Sequence, residues 1–162
     1  MPKDNLIDLE TLDLSTTVVD KAGVLDVLAQ RGSFEMLDGV LHMDATSEDG
    51  GLIVGYKEVR STDWWATDHI PGRPLFPGAL MVESAAQLCT FHFVHLRPEL
   101  RETFIGFGGL DDVRFRRAVE PDCRLIIAGR VERMRKTMFV YSTQGFVNGD
   151  LVFQAGIRGV VV

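Results

Sequence analysis

The chain has 162 residues, 46% of them hydrophobic and 25% charged, which suits one globular domain able to bury roughly 70% of its unfolded surface and argues against a disordered or fibrous polypeptide. A net charge of −6 speaks against nucleic-acid binding. The opening Met-Pro-Lys-Asp-Asn lacks the apolar segment of a signal peptide, so a cytoplasmic location is expected, with Cys89 and Cys123 as free thiols.

Residues 1 to about 19 carry no clear periodicity and read as an N-terminal arm, extended or with a short helix. Asp20 is placed to cap a helix from Lys21 to Arg31, with Val24, Val27 and Leu28 on its apolar face and Gly32 at its end. From Met36 to Ala45, the positions Leu37, Gly39, Leu41, Met43 and Ala45 alternate with others that include Asp38, His42 and Asp44. That is the period of a half-buried strand. Asp49-Gly50-Gly51 turns the chain, and Leu52 to Val59 returns as a second strand with Leu52, Val54 and Tyr56 expected inward. Trp64-Trp65 and a loop with Pro71, Pro74 and Pro77 follow.

The stretch from Gly78 to about Leu96 has no proline and almost no charge. Its apolar residues go all the way round a helical wheel, and such a helix is buried or spans a membrane. Glu83, Gln87, His92 and His95 interrupt the apolar run, so a buried helix is expected and a membrane span is not. Pro98 stops it, and Glu99 to Glu102 form a charged connection. Beyond Thr103 the pattern is strand. Val113, Phe115 and Val119 alternate with Arg114 and Arg116; Cys123, Leu125, Ile127 and Val131 alternate with Arg124, Arg130 and Glu132. Residues 137 to 147 are rich in aromatic and β-branched types, Asn148-Gly149 is a two-residue hairpin turn, and Leu151, Phe153, Ala155 and Ile157 mark the last strand. Two strands, one apolar helix and three or four long antiparallel strands make an α+β class, a curved antiparallel sheet wrapped around one long central helix. Such a sheet keeps its edges, and a second copy covering one is expected, giving a homodimer.

The loop and helix start carry the candidate chemistry. The first helical N–H groups, at Gly78 and Ala79, lack intrahelical partners, and the helix dipole favours negative charge there. Glycine lets a ligand approach the backbone. This arrangement can polarise a carbonyl and hold an enolate-like oxygen, at about 3 kcal/mol per donor. His69, held by the prolines, is suited to remove a proton next to a carbonyl. A lone carboxylate in an apolar helix usually finds a partner or shifts its pKa, so Glu83 is expected to stay protonated and give a proton to a leaving hydroxyl. Gln87 lies at i+4 on the same face and can orient it. Taken separately, each feature has a blander reading: a surface histidine, a self-satisfied Glu–Gln pair, a rigid turn. Taken together, they describe β-elimination of water from a 3-hydroxyacyl thioester.

The run His69-Ile-Pro-Gly-Arg-Pro-Leu-Phe-Pro-Gly-Ala-Leu-Met-Val-Glu83-Ser-Ala-Ala-Gln87 closely resembles the signature of the 3-hydroxyacyl-[acyl-carrier-protein] dehydratases of the FabZ/FabA type. Leu110 to Val119 resembles the strand that follows the helix in that family, and weaker similarity reaches back to Val24. The resemblance implies the hotdog fold across a single domain, 1–162, with the central helix at about 78–96. It implies His69 and Glu83 as the catalytic pair and Gly78 as the N–H donor to the thioester carbonyl. Ala79 and Gln87 stand beside them as candidate substrate-binding residues. Glutamate at position 83 matches the FabZ branch, which does not isomerise. The family builds its site across a dimer, often within a trimer of dimers. It takes substrate from acyl carrier protein in fatty acid biosynthesis and needs no metal or cofactor. Arg114, Arg116 and Arg117, or Arg133, Arg135 and Lys136, are candidate contacts for that acidic carrier, against the plainer reading of a solvated strand face.

Some positions depart from the family pattern. Asp68-His69-Ile70 stands where Gly-His-Phe is usual, and Asp68 would raise the pKa of His69 if its carboxylate lay close. Ala29 to Phe34 stands where Pro-His-Arg-x-Pro-Phe is usual, and Pro121-Asp122-Cys123 where Pro-Gly-Asp is. These changes leave the catalytic pair intact and bear on acyl-chain length and carrier. The same residues admit two other readings, a non-catalytic acyl-thioester-binding hotdog protein and a hotdog thioesterase. A metal site at His92-x-x-His95 with Glu99 is disfavoured because Pro98 interrupts it.

Overall fold

The computed structural model describes residues 5 to 45 and 49 to 162. Its elements are α1 (Lys21–Val27), β1 (Gly39–Met43), β2 (Leu52–Val59), α2 (Trp65–Asp68), α3 (Gly78–Leu96), β3 (Ile105–Phe115), β4 (Cys123–Met134), β5 (Met138–Val147) and β6 (Asp150–Val161). The six strands form one antiparallel sheet in the order β1-β2-β4-β5-β6-β3. It curves around α3, which packs on β2, β4, β5 and β6. This is the expected α+β hotdog architecture.

The bounds of β2 and α3 coincide with those expected, and the region after α3 yields four strands. Asn148 and Gly149 both take positive φ, 49° and 82°, the twist of a two-residue hairpin turn that matches the twist of its strands. Asp20 caps α1 by accepting from the Gly23 N–H at 2.9 Å.

Three expectations are corrected. Helix α1 stops at Val27 rather than Arg31. The Arg31 guanidinium instead donates to the Leu25 and Leu28 carbonyls, at 2.8 and 2.6 Å. It closes the helix end from outside. Strand β1 begins only at Gly39; just before it the Glu58 N–H of β2 is taken by the Asp38 carboxylate and the Met36 N–H by the Gln87 side chain. A bulge between Val40 and His42 then breaks the alternation, and Val40 and Leu41 are both buried. In β2 it is Ile53 and Val59, not Leu52, Val54 and Tyr56, that join the core around α3. Gly55 shares their side: a Cβ there would lie 2.6 Å from Leu88 Cδ1. Leu52 and Val54 face the opposite side, in a smaller core with Ile7, Ala128 and Phe146. The arm lies over that outer face with Leu9, Leu12 and Leu14 against it, and the Arg130 guanidinium donates to the Leu6 carbonyl. A strand covered on both faces is apolar at odd and even positions alike, so polarity does not say which face is which.

The main core is aromatic. Trp65, Phe91, Phe93, Phe139, Tyr141 and Phe153 are all essentially inaccessible. His92 is buried among them. Its Nδ1 accepts from the Tyr141 hydroxyl at 2.8 Å, and its Nε2 donates to the Asp44 carbonyl at 3.3 Å. Burial holds its pKa below the usual histidine range. Both ring nitrogens are thus spent in the core, while His95 is exposed.

Gly159 makes a sharp test of this packing. A Cβ at that position would fall 2.2 Å from Cζ of Phe139, whose ring is 1% exposed. Gly159→Ala is expected to cost about 1–3 kcal/mol in urea unfolding. Phe139→Leu introduced beside it should recover part of that loss, since it removes the colliding ring.

The edge strand β3 is unlike the others. Phe107 is 54%, Leu110 47% and Phe115 53% exposed. This edge leaves strand N–H and C=O groups and several large apolar side chains uncovered in the single chain.

Candidate active site

The loop before α3 is anchored at both ends. Trp65 is buried in α2 and meets the Phe76 ring edge-on at 5.1 Å between centroids. The Phe76 N–H bonds the Val119 carbonyl. Between them Ile70-Pro71-Gly72-Arg73 closes a turn with an Arg73 N–H to Ile70 carbonyl bond of 2.9 Å. Pro71 occupies its second position and Gly72 its third, with φ of 79°, the residue preferences of a type II turn.

This loop holds His69. Its Nδ1 lies 2.8 Å from the Leu75 carbonyl. A carbonyl only accepts, so Nδ1 carries a hydrogen, and in the neutral ring the lone pair is then on Nε2. The ring is exposed and lines an open groove of about 500 Å³ together with Gly78, Ala79, Phe115 and Arg116. The neighbouring Asp68 carboxylate accepts from the Thr67 hydroxyl at 2.9 Å. Among the described residues it forms no ion pair with His69.

Helix α3 starts at that groove. Its N-cap, Pro77, offers no side-chain hydrogen bond. The Leu80 and Met81 N–H groups turn back to the Pro77 carbonyl, and among the described residues those of Gly78 and Ala79 have no backbone acceptor. The Phe115 ring lies so close that a Cβ on Gly78 would be 2.7 Å from it. A larger residue at position 78 would have to displace that ring, which is 53% exposed.

Five residues on from Gly78, Glu83 is half-buried. Its Oε1 accepts from Gln87 Nε2 at 2.8 Å. Gln87 is held on three sides: Nε2 also donates to the Phe34 carbonyl at 2.8 Å, and Oε1 accepts from the Met36 N–H at 3.1 Å. Those backbone partners allow only one orientation of the amide, which must offer Glu83 a hydrogen. One carboxyl oxygen is thus occupied, and any acid proton sits on Oε2.

His69, Gly78 and Ala79 come together as expected, and so do Glu83 and Gln87. The two groups do not meet in one chain. Glu83 and Gln87 line a separate hollow of about 40 Å³, opposite Gly106 and Phe107 of β3. Sequence reading missed the groups that aim the side chains, the Leu75 and Phe34 carbonyls and the Met36 N–H. Backbone groups carry no residue-type signal. Among the described residues no cluster of His, Cys, Asp and Glu has the arrangement of a metal site. Asp122, where the family motif has glycine, accepts from the Ser61 N–H and hydroxyl at 2.8 and 3.3 Å. It ties the segment after β2 to the start of β4, away from this chemistry.

Residues 28–156 match the family model of the FabA-like domain. The chain is 33% identical over 138 residues to a protein of Desulfotalea psychrophila named 3-hydroxyacyl-[acyl-carrier-protein] dehydratase FabZ, covering 85% of this chain and 89% of that one. A protein of the same name from Herpetosiphon aurantiacus is 32% identical, with 86% and 95% covered. Among solved structures, the dehydratase heterocomplex ApeI:P from Xenorhabdus doucetiae superposes with a TM-score of 0.71 at 14% identity, over 86% of this chain and 90% of that one. A hypothetical thioesterase with coenzyme A from Streptococcus pneumoniae reaches 0.54 at 15% identity, over 75% and 84%. At such identities the structural likeness is one of fold, and this fold hosts more than one chemistry. The sequence match is more specific, because it spans the proline loop, α3 and both candidate catalytic side chains: the chain belongs to the FabA-like family, as a FabZ-like member.

Proposed function

We propose that this protein, a single hotdog domain, removes water from (3R)-3-hydroxyacyl thioesters to give trans-2-enoyl thioesters in fatty acid biosynthesis. The observation that carries the reading is the fixed tautomer of His69. Its Nδ1–H is bound to the Leu75 carbonyl, which leaves Nε2 as a base beside the free N–H groups of the α3 terminus. Nε2 takes the proton from carbon 2. The charge that develops on the thioester oxygen is held by the Gly78 N–H, with Ala79 next to it. The carbon 3–oxygen bond then breaks, and Glu83 delivers a proton from Oε2 so that water leaves. The proton on Nε2 returns through solvent to Glu83, and the site is reset.

His69 and Glu83 line different cavities of one chain, and the apolar edge of β3 lies open. Both observations support a homodimer in which the β3 edges meet and one copy's His69 works with the other copy's Glu83. Three such dimers would make a hexamer. The substrate arrives on the phosphopantetheine arm of acyl carrier protein. Arg116 and Arg117 line the groove that holds His69 and can meet an acidic carrier at its mouth. The Arg114 guanidinium is engaged by Asp112 at 2.8 Å and that of Arg117 by Asp150 at 3.1 Å, while Arg116 donates to the Gln154 side chain at 2.7 Å. Among the described residues no helix is long and apolar enough to cross a membrane, and we place the protein in the cytoplasm.

The test is hydration of a crotonyl thioester by the purified protein, followed by loss of the enoyl absorbance. His69→Ala and Glu83→Gln should each lower the rate by about a hundredfold or more. Release of free thiol without loss of the enoyl group would indicate a thioesterase. Neither change, on several chain lengths, would indicate an acyl-binding protein.

A further inference from the structure

Two tryptophans stand side by side ahead of the His69 loop, and the fold uses them differently. Trp65 is buried in the core, whereas Trp64, the residue before α2, is 47% exposed. The Trp64 indole N–H still finds an acceptor in a distant segment, the Ser33 carbonyl at 3.2 Å. Ser33 is the middle residue of a single helical turn, Gly32–Phe34. The next carbonyl along, that of Phe34, is the one that accepts from Gln87 Nε2, and Gln87 in turn donates to Glu83. Residues 31 to 34 are all exposed, so no buried side chain anchors this turn. The Glu35 carboxylate accepts from the Gly32 N–H at 3.0 Å and lies 3.5 Å from Lys21 Nζ, a solvent-accessible pair that holds weakly. The indole bond instead ties the turn to α2, whose position is fixed by the buried Trp65.

We propose that Trp64 is a positioning residue for Glu83: its indole N–H fixes the Gly32–Phe34 turn, the turn fixes Gln87 through the Phe34 carbonyl, and Gln87 fixes the carboxyl. The proposal rests on the dehydratase reading, in which Glu83 delivers a proton from Oε2. The aim of that carboxyl then governs the rate, and a reacting group displaced by about 1 Å can cost about a hundredfold. Without the indole N–H the turn is free to drift, the Gln87 amide loses a steady acceptor, and the carboxyl leaves its productive orientation for part of the time. Substrate contacts stay as they were, because among the described residues Trp64 lines neither the groove of His69 nor the hollow of Glu83.

The experiment is a double-mutant cycle on hydration of a crotonyl thioester. Trp64→Phe keeps an aromatic ring and removes the N–H. Its kcat should fall about tenfold, with KM within about twofold of the parent. In a Gln87→Leu background the same substitution should cost less than about twofold, because the link it acts through is already cut. An equal loss in both backgrounds would mean that Trp64 acts on His69 through α2, or on the fold at large. That result overturns the proposal, and so does an unchanged rate. Circular dichroism checks each variant. Trp64→Leu, which also lacks the donor, takes over if Trp64→Phe does not fold, and failure of both to fold makes Trp64 structural and overturns the proposal. A second readout needs no turnover: exchange with water of the Gln87 side-chain amide hydrogens, followed by heteronuclear NMR and identified by their loss in Gln87→Leu. It should speed up about tenfold in Trp64→Phe. The two readings therefore fail separately. Faster exchange in a protein with no crotonyl hydration leaves the link from Trp64 to Glu83 standing and removes the dehydratase. Hydration with unchanged exchange does the reverse.

Discussion

A one-to-one mixture of the His69→Ala and Glu83→Gln variants, dissociated and allowed to re-form dimers, should regain about a quarter of the parental activity, although each variant alone is nearly inactive. The expectation follows from symmetry. In a two-fold dimer each of two sites would take its base from one copy and its acid from the other. A mixed dimer then has one site with both residues altered and one with both intact. Random pairing makes about half of the dimers mixed, and each of those has half of its sites working. The converse mixture sharpens the test. Pairing the parent with a chain that carries both substitutions leaves every mixed dimer without an intact site, so the parent's contribution should fall by about half. Native mass spectrometry of the mixtures confirms exchange. If base and acid instead served one site within one chain, the first mixture would stay inactive and the second would show no loss. The geometry behind the expectation is the separation of the two side chains. His69 opens into the groove at the start of α3, and Glu83 into the hollow beneath β3.

Much of this was legible in the sequence, for identifiable reasons. Helix α3 is apolar on every face and lies between Pro77 and Pro98, so its start at Gly78 and its end at about Leu96 could be read. Asn148-Gly149 is a turn that few other residue pairs can make. The prolines and glycines of the His69 loop are spaced as the chemistry needs. Other features depend on contacts between distant segments. The outward-facing apolar residues Leu52 and Val54 are explained only by an arm some forty positions earlier. Ahead of the short β1, the Asp38 and Gln87 side chains take backbone donors, those of Glu58 and Met36, that a longer strand pairing would use. The aim of His69 and of Glu83 is set by carbonyls and N–H groups, which every residue type shares. Patterns of polarity report which positions are covered, not what covers them.

Asp38 shows the largest gap of this kind. In the alternating pattern it reads as a solvent-facing residue of the first strand. In the structure it sits just before β1 and gathers two lysines. Its carboxylate is 2.9 Å from Lys21 Nζ and 3.2 Å from Lys57 Nζ, and it accepts from the Glu58 N–H at 2.7 Å. Burial alone would raise its pKa, but the Lys21 hydrogen bond, the Lys57 charge and the Glu58 N–H outweigh that and hold it below the ordinary aspartate value. The side chain of Lys57 is only 6% exposed, and its other carboxylate, that of Asp63, is 4.0 Å away. Asp38→Asn should therefore strand a buried ammonium and cost about 3–5 kcal/mol in urea unfolding at neutral pH. That is a large share of the roughly 5–15 kcal/mol that holds a domain of this size together. Asp38→Asn combined with Lys57→Met should be less damaging than Asp38→Asn alone, because the stranded charge goes with it. A depressed carboxylate pKa stabilises the fold above the unfolded value of about 3.8, and this stabilisation is lost as pH falls through the lower folded value. The parent should thus lose stability on acidification below about pH 4, and the gap between parent and Asp38→Asn should narrow there. A gap that stayed constant from neutral to acid pH would show that the carboxylate charge is not what stabilises this corner. The consequence reaches the site, because Asp38 lies two residues from Met36, whose N–H grips Gln87. An Asp38→Asn protein that remains folded should hydrate crotonyl thioesters more slowly than the parent, even though the substituted side chain touches neither substrate nor Glu83.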